Sequence, residues 1–171
     1  ARPGDDVWVS GTIGDGALGL LALTGRLPPD PHLADRYRLP RPRLALGQAL
    51  AGIARAAMDV SDGLVQDLGH LARAAGCGAE IRADAVPLSD PARAAVAGES
   101  GLMARILGGG DDYELLFAAA PGDADRVLAA AAATQTSVTR IGHFVDGAGV
   151  RVLDGTGAAL DLPAAGWSHM V

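Results

Sequence analysis

Two short acidic stretches hold the residues best suited to chemistry. The first is Asp59-Val60-Ser61-Asp62-Gly63-Leu64, which gathers two carboxylates and a hydroxyl into adjacent positions. An oxygen cluster at a helix start, following an apolar lead-in, suits a hard cation such as Mg²⁺. The same residues also suit a plain cap, with Ser61 or Asp62 accepting backbone N–H groups that a helix start leaves orphaned. The second stretch is Gly108-Gly109-Gly110-Asp111-Asp112-Tyr113-Glu114. Its glycines let backbone approach a ligand closely, and two carboxylates follow at once. Alone, it is a generic acidic turn. Two such loops, both at the ends of regular elements, point to a shared ligand site.

The elements around them follow from periodicity. Leu64, Leu68, Leu71 and Ala75 recur on one helical face, so the first stretch opens an amphipathic helix that Gly76 terminates. Tyr113 to Ala118 reads as a buried strand closed by Pro121-Gly122, which puts Asp111 at the strand's mouth. Upstream, Val7 to Ser10 is a strand, Gly11 to Gly16 a glycine loop, and Ala17 to Thr24 an apolar helix. That loop could hold an anion on the helix N-terminus, but its spacing fits neither the dinucleotide nor the P-loop fingerprint. A tight turn with Asp15 as the capping residue is the expectation.

Leu27 to Pro42 carries five prolines, at positions 28, 29, 31, 40 and 42. With Arg36, Arg38, Arg41 and Arg43 interspersed to position 43, it reads as a stiff exposed connection bearing solvated charge. Leu44 to Ala57 reads as one amphipathic helix. Cys77 to Asp84 is a strand, Ser89-Asp90 a capped start to an Ala-rich helix, and Asp123 to Ala133 a helix. Val138 to Val145 and Val150 to Leu153 are strands, and a hairpin-like turn at Asp154-Gly155 leads to Leu160. His70 on the central helix receives no role. No internal repeat interrupts what reads as one α/β unit.

Composition narrows the function. Hydrophobic residues make up 49% and charged residues 20% of 171 residues, enough for one domain with a real core. All basic residues are arginine, so a Walker lysine and a Schiff-base lysine are excluded. The net charge of −6 argues against nonspecific nucleic-acid binding. It suits a site that gathers divalent cations. Cys77 is the single cysteine, which rules out an internal disulfide and a cysteine-based zinc site. No signal peptide or long apolar run is present, so the sequence reads as cytoplasmic with no membrane partner. The chain opens Ala1-Arg2-Pro3 without a Met and looks like the continuation of something longer.

Taken in order, Ser10-Gly11-Thr12-Ile13-Gly14-Asp15, Arg41-Pro42-Arg43, Asp59-Val60-Ser61-Asp62-Gly63-Leu64 with Asp67-Leu68-Gly69-His70, Gly109-Gly110-Asp111-Asp112-Tyr113-Glu114-Leu115 and Gly166-Trp167-Ser168-His169 resemble the C-terminal half of bacterial thiamine-monophosphate kinase. The resemblance covers essentially the whole chain. Its wider superfamily includes the aminoimidazole-ribonucleotide and formylglycinamidine-ribonucleotide synthetases, selenophosphate synthetase and a hydrogenase-maturation protein.

The resemblance implies an α/β (α+β) fold, a two-layer sandwich of helices on a mixed β-sheet with both acidic loops on one rim. It implies residues 1–171 as a single C-terminal domain, with an N-terminal domain that carries most of the ATP and metal site absent from this chain. It implies ATP-dependent phosphorylation of thiamine phosphate to thiamine diphosphate, a homodimer for the full-length enzyme, and little or no activity for this half alone. Carried over by position, Asp59 and Asp62 would ligate Mg²⁺ and Ser61 would touch ATP. Asp111 and Trp167 would contact thiamine phosphate; no residue is assigned as catalytic. Asp111 stands where Glu is usual, which shortens its reach, and Trp167 replaces a more usual Tyr. A tryptophan ring could attract the thiazolium cation, a contact of ~0.5–2 kcal/mol. The alternatives are another ATP-dependent synthetase of the superfamily, or a non-catalytic module that holds a phosphate ligand or a partner domain.

Overall fold

The computed structural model describes residues 1–162. Its frame is a six-stranded sheet in the order β2-β4-β1-β5-β3-β6. The strands are β1 (Asp6–Ser10), β2 (Ala54–Asp59), β3 (Gly78–Arg82), β4 (Leu115–Ala119), β5 (Val138–Val145) and β6 (Gly149–Leu153). Neighbours pair antiparallel except β3 and β6, which are parallel. The sheet is therefore mixed, as expected. Seven α-helices accompany it among the described residues: α1 (Asp15–Leu23), α2 (Pro31–Arg38), α3 (Leu44–Ala49), α4 (Leu64–Ala75), α5 (Asp90–Gly98), α6 (Leu102–Gly108) and α7 (Ala124–Ala133).

Alternation along β1 separates two cores. Val7 and Val9 face the larger cluster, where Leu64 and Leu68 of α4, Leu18 of α1 and Ile106 of α6 are fully buried. The leucine face read from the sequence on α4 is the face that packs here. Trp8 faces the other way, into a smaller cluster with Phe117, Leu46, Leu50 and Val127. Thus α3 and α7 cover part of the second face of the sheet, beyond the single helical layer expected. Trp8 and Phe117 stack with ring centroids 6.4 Å apart.

The helix expected over Leu44 to Ala57 is two elements. It stops at Ala49, Gly52 takes a left-handed φ of 76°, and Ala54–Asp59 becomes an edge strand. An alanine-rich segment buries little area in either conformation, so the ladder offered by β4 decides the outcome. The connection expected from the proline density contains the two-turn helix α2. Pro31 occupies its first turn, where no N–H is needed, and the Asp30 carboxylate accepts the Leu33 N–H at 2.9 Å. No helix among the described residues is long and apolar enough to cross a membrane.

Candidate functional site

Sheet register brings the two acidic loops together. Asp59, the last residue of β2, pairs with Leu115, the first of β4, and Val9 near the end of β1 pairs with Leu116. Antiparallel pairing therefore delivers the exits of β1 and β2 and the start of β4 to one rim. Backbone bonds then join the loops: Asp111 N–H donates to Ser61 O at 3.0 Å, Tyr113 N–H to Val60 O at 2.8 Å, and Val60 N–H to Glu114 O at 2.9 Å. The approach is close enough that a Cβ on Gly110 would lie 2.1 Å from Ser61 O.

The first loop is organised from inside its own helix. The N-cap position of α4 falls on Gly63, which has no side chain to cap with, rather than on Ser61 or Asp62. Instead, buried Asp67 turns back and accepts the N–H groups of Ser61, Asp62 and Gly63 at 2.9, 3.1 and 3.2 Å. Burial pushes its carboxyl pKa up, and those three N–H bonds oppose the rise. The signal was an acidic residue in the first turn of α4, just after a glycine. Asp67 thus fills the natural anion site of this helix start; in the same loop Asp59 is exposed and Asp62 half-buried.

The glycine loop before α1 has its anion too, and it is the chain's own. Asp112 accepts Gly14 N–H at 2.7 Å and Gly16 N–H at 2.9 Å. Burial raises its pKa to about 7 against those two N–H bonds; nearby Asp15 adds to the rise and Arg36 opposes it. Asp15 is buried but does not hold the N-cap position, which is Gly14. Its carboxylate accepts Thr12 Oγ1 at 2.6 Å and Ser89 Oγ at 2.5 Å, tying the loop to α5.

The second loop is bent. Asp111 and Tyr113 have φ values of 70° and 52°, left-handed conformations for residues with side chains. Each costs on the order of 1–3 kcal/mol and persists only where the surroundings enforce it. The half-buried Asp111 side chain lies 3.5 Å from the Tyr113 hydroxyl. Tyr113 has its phenol pKa raised by burial, then by Asp111, and further by Asp59 and Asp62. Among the described residues, no three His, Cys, Asp or Glu side chains are grouped to hold a metal ion by themselves.

Beneath the bend sits a buried ionic cluster that sequence reasoning missed. Glu114 is fully buried, and its carboxylate accepts Arg36 Nη2 at 2.9 Å, Arg43 Nε at 2.7 Å, Arg43 Nη2 at 2.5 Å and Ser10 Oγ at 2.6 Å. Of the four arginines read as solvated linker charge, Arg36 is buried and Arg43 partly buried in this cluster. Arg38 and Arg41 are exposed, as expected. The bonds to Glu114 raise the Arg43 pKa. Trp167 lies outside the described residues.

Comparison with known proteins follows the same lines. Residues 2–155 match the family model described as AIR synthase related protein, C-terminal domain. The thiamine-monophosphate kinase of Caulobacter vibrioides is 42% identical over 177 residues, covering 99% of this chain and 49% of that protein. The thiamine-monophosphate kinase structure from Stenotrophomonas maltophilia superposes with a TM-score of 0.82 at 41% identity, covering 94% of this chain and 52% of that one. AaThiL complexed with AMPPCP and TMP gives a TM-score of 0.81 at 33% identity, covering 99% of this chain and 52% of that one. The chain spans about half the length of the relatives it matches.

Proposed function

The chain belongs to the AIR synthase related protein family, as its C-terminal domain, and from that premise we propose that it is one half of a kinase moving the γ-phosphoryl group of ATP onto thiamine phosphate. The observation that carries this reading is the backbone joining of the two acidic loops, which sets Asp59, Asp62 and Asp111 around one rim. Kinship to thiamine-monophosphate kinases over 99% of the chain supports the choice of acceptor.

Phosphoryl transfer needs charge neutralisation and in-line placement of the reacting groups more than a covalent nucleophile. Asp59 and Asp62 fit the role of Mg²⁺ ligands, because Mg²⁺ commonly takes one or two protein carboxylates and completes its shell with phosphates and water. Both lie at the exit of β2, Asp59 exposed and Asp62 half-buried. Bound there, the ion would offset charge on the transferring phosphate. Ser61, whose N–H and carbonyl are both engaged within the joined loops, would present its hydroxyl to ATP. Asp111 would meet the acceptor from the facing loop, and Trp167 would stack on it. The remaining ATP and metal site would come from the other half of the full-length protein, which would dimerise.

The full-length protein is expected to form thiamine diphosphate from thiamine phosphate and ATP. Asp59→Asn should reduce kcat by at least a hundredfold, and Asp111→Asn should raise the KM for thiamine phosphate. Wild-type kinetics in both variants would end this reading. Robust turnover by the 171-residue chain alone would refute its division of labour.

A further inference from the structure

Resting on that reading of Asp111, we infer that Glu114 is a positioning residue: clamped by Arg36 and Arg43, it fixes the bend through which the Asp111 carboxylate is presented to the acceptor. The bend needs an outside constraint, since two side-chain-bearing residues in three take left-handed backbone. Arg36 supplies it directly. Its Nη2 donates to the carbonyl of Asp112 at 3.0 Å and to Glu114 Oε1 at 2.9 Å, so one guanidinium ties the backbone just before Tyr113 to the side chain just after it. Arg43 grips the same carboxylate through two nitrogens, a planar match that lysine cannot reproduce.

Ser10 closes the remaining side. Its hydroxyl donates to Glu114 Oε2 at 2.6 Å and accepts Leu115 N–H at 2.8 Å, locking the start of β4 to the end of β1. The carboxylate also fills the space a side chain at position 11 would need: a Cβ on Gly11 would lie 2.2 Å from Glu114 Oε1. The cluster lies beneath the bend, with Glu114 and Arg36 buried and Arg43 partly buried. Its influence reaches the site through the backbone of residues 111–114, whose N–H and carbonyl groups hold the first loop.

The test uses the full-length protein with Glu114→Gln, which removes the charge, and Arg43→Lys, which keeps charge and loses the paired geometry. Expected are amide hydrogen exchange at least tenfold faster at Asp111 and Tyr113 in both variants and unchanged exchange at Leu116 and Phe117. A tenfold higher KM for thiamine phosphate should accompany this, with the KM for ATP unmoved. Adding Glu114→Gln to Asp111→Asn should raise that KM no further. Unchanged exchange at Asp111 and Tyr113 overturns the inference, as does a KM increase that adds to that of Asp111→Asn. Should Glu114→Gln fail to fold, Arg43→Lys carries the same test. If exchange quickens as expected while Asp111→Asn leaves the acceptor KM untouched, the bend is positioned as inferred and the thiamine-phosphate reading is what falls.

Discussion

The starts of α1 and α4 meet the same electrostatic demand from opposite distances in the chain. Each leaves backbone N–H groups unpaired, and each is closed by a buried carboxylate. At α4 the carboxylate is Asp67, on the helix itself, with partners four to six residues away. At α1 it is Asp112, whose partners Gly14 and Gly16 lie 98 and 96 residues away. The start of α4 is thus closed by its own helix, whereas the second loop is tied to the α1 loop, β1, Arg36 of α2, Arg43 and the first loop. A locally closed loop can form as soon as its helix does. A loop closed from afar reports whether the whole rim has assembled, which suits the bend proposed to present Asp111.

Removing the buried carboxylate beneath the second loop should have the largest effect. Glu114→Ala leaves two guanidinium groups facing an empty space, and breaking a buried pair in this way should cost about 3–5 kcal/mol in urea unfolding. The pH dependence at Asp112 comes next. Its folded pKa is raised to about 7 from 3.8, so between those values the folded protein holds a proton that the unfolded chain has released. Its contribution to stability is therefore fully favourable below about pH 4, declines as pH rises, and levels off above about pH 7. At about 1.4 kcal/mol per pH unit the change amounts to a few kcal/mol. A carboxyl-carbon NMR titration should find Asp112 titrating near neutrality, and unfolding at both ends of the window should give the matching loss.

The local closure should be worth less. Asp67→Ala removes three charge-assisted bonds and should cost about 1.5–3 kcal/mol, with faster amide exchange confined to Ser61, Asp62 and Gly63. If that exchange spread to Asp111 and Tyr113, the two loops would be one cooperative unit and the contrast would dissolve. Smallest of all is Arg41→Ala. Arg41 pairs with Asp35 in the open, so its loss should shift unfolding by less than about 0.5 kcal/mol. Arg43, two positions on, supports the buried cluster. A comparable cost at both positions would contradict the assignment of the cluster as the anchor.

The amino-acid sequence by itself determined the local units. The leucine spacing of α4, Gly76 as its left-handed stop, the Ser89 cap of α5 and the strand character of β1, β4 and β5 follow from periodicity and backbone preference within a dozen residues. It also offered Asp59, Ser61, Asp62 and Asp111 as candidates, because clustered oxygen-bearing side chains at element ends are visible without a fold. Tertiary structure decided everything that depends on register. Ala54–Asp59 is a strand because β4 offers a ladder to an alanine run that favours no conformation strongly. Arg36 and Arg43 look like solvated linker charge until Glu114, more than seventy residues away, is brought beneath them. Short-range preferences act through a residue's immediate neighbours along the chain; the choice of ionic partner is settled by which strand ends the antiparallel sheet delivers to one rim.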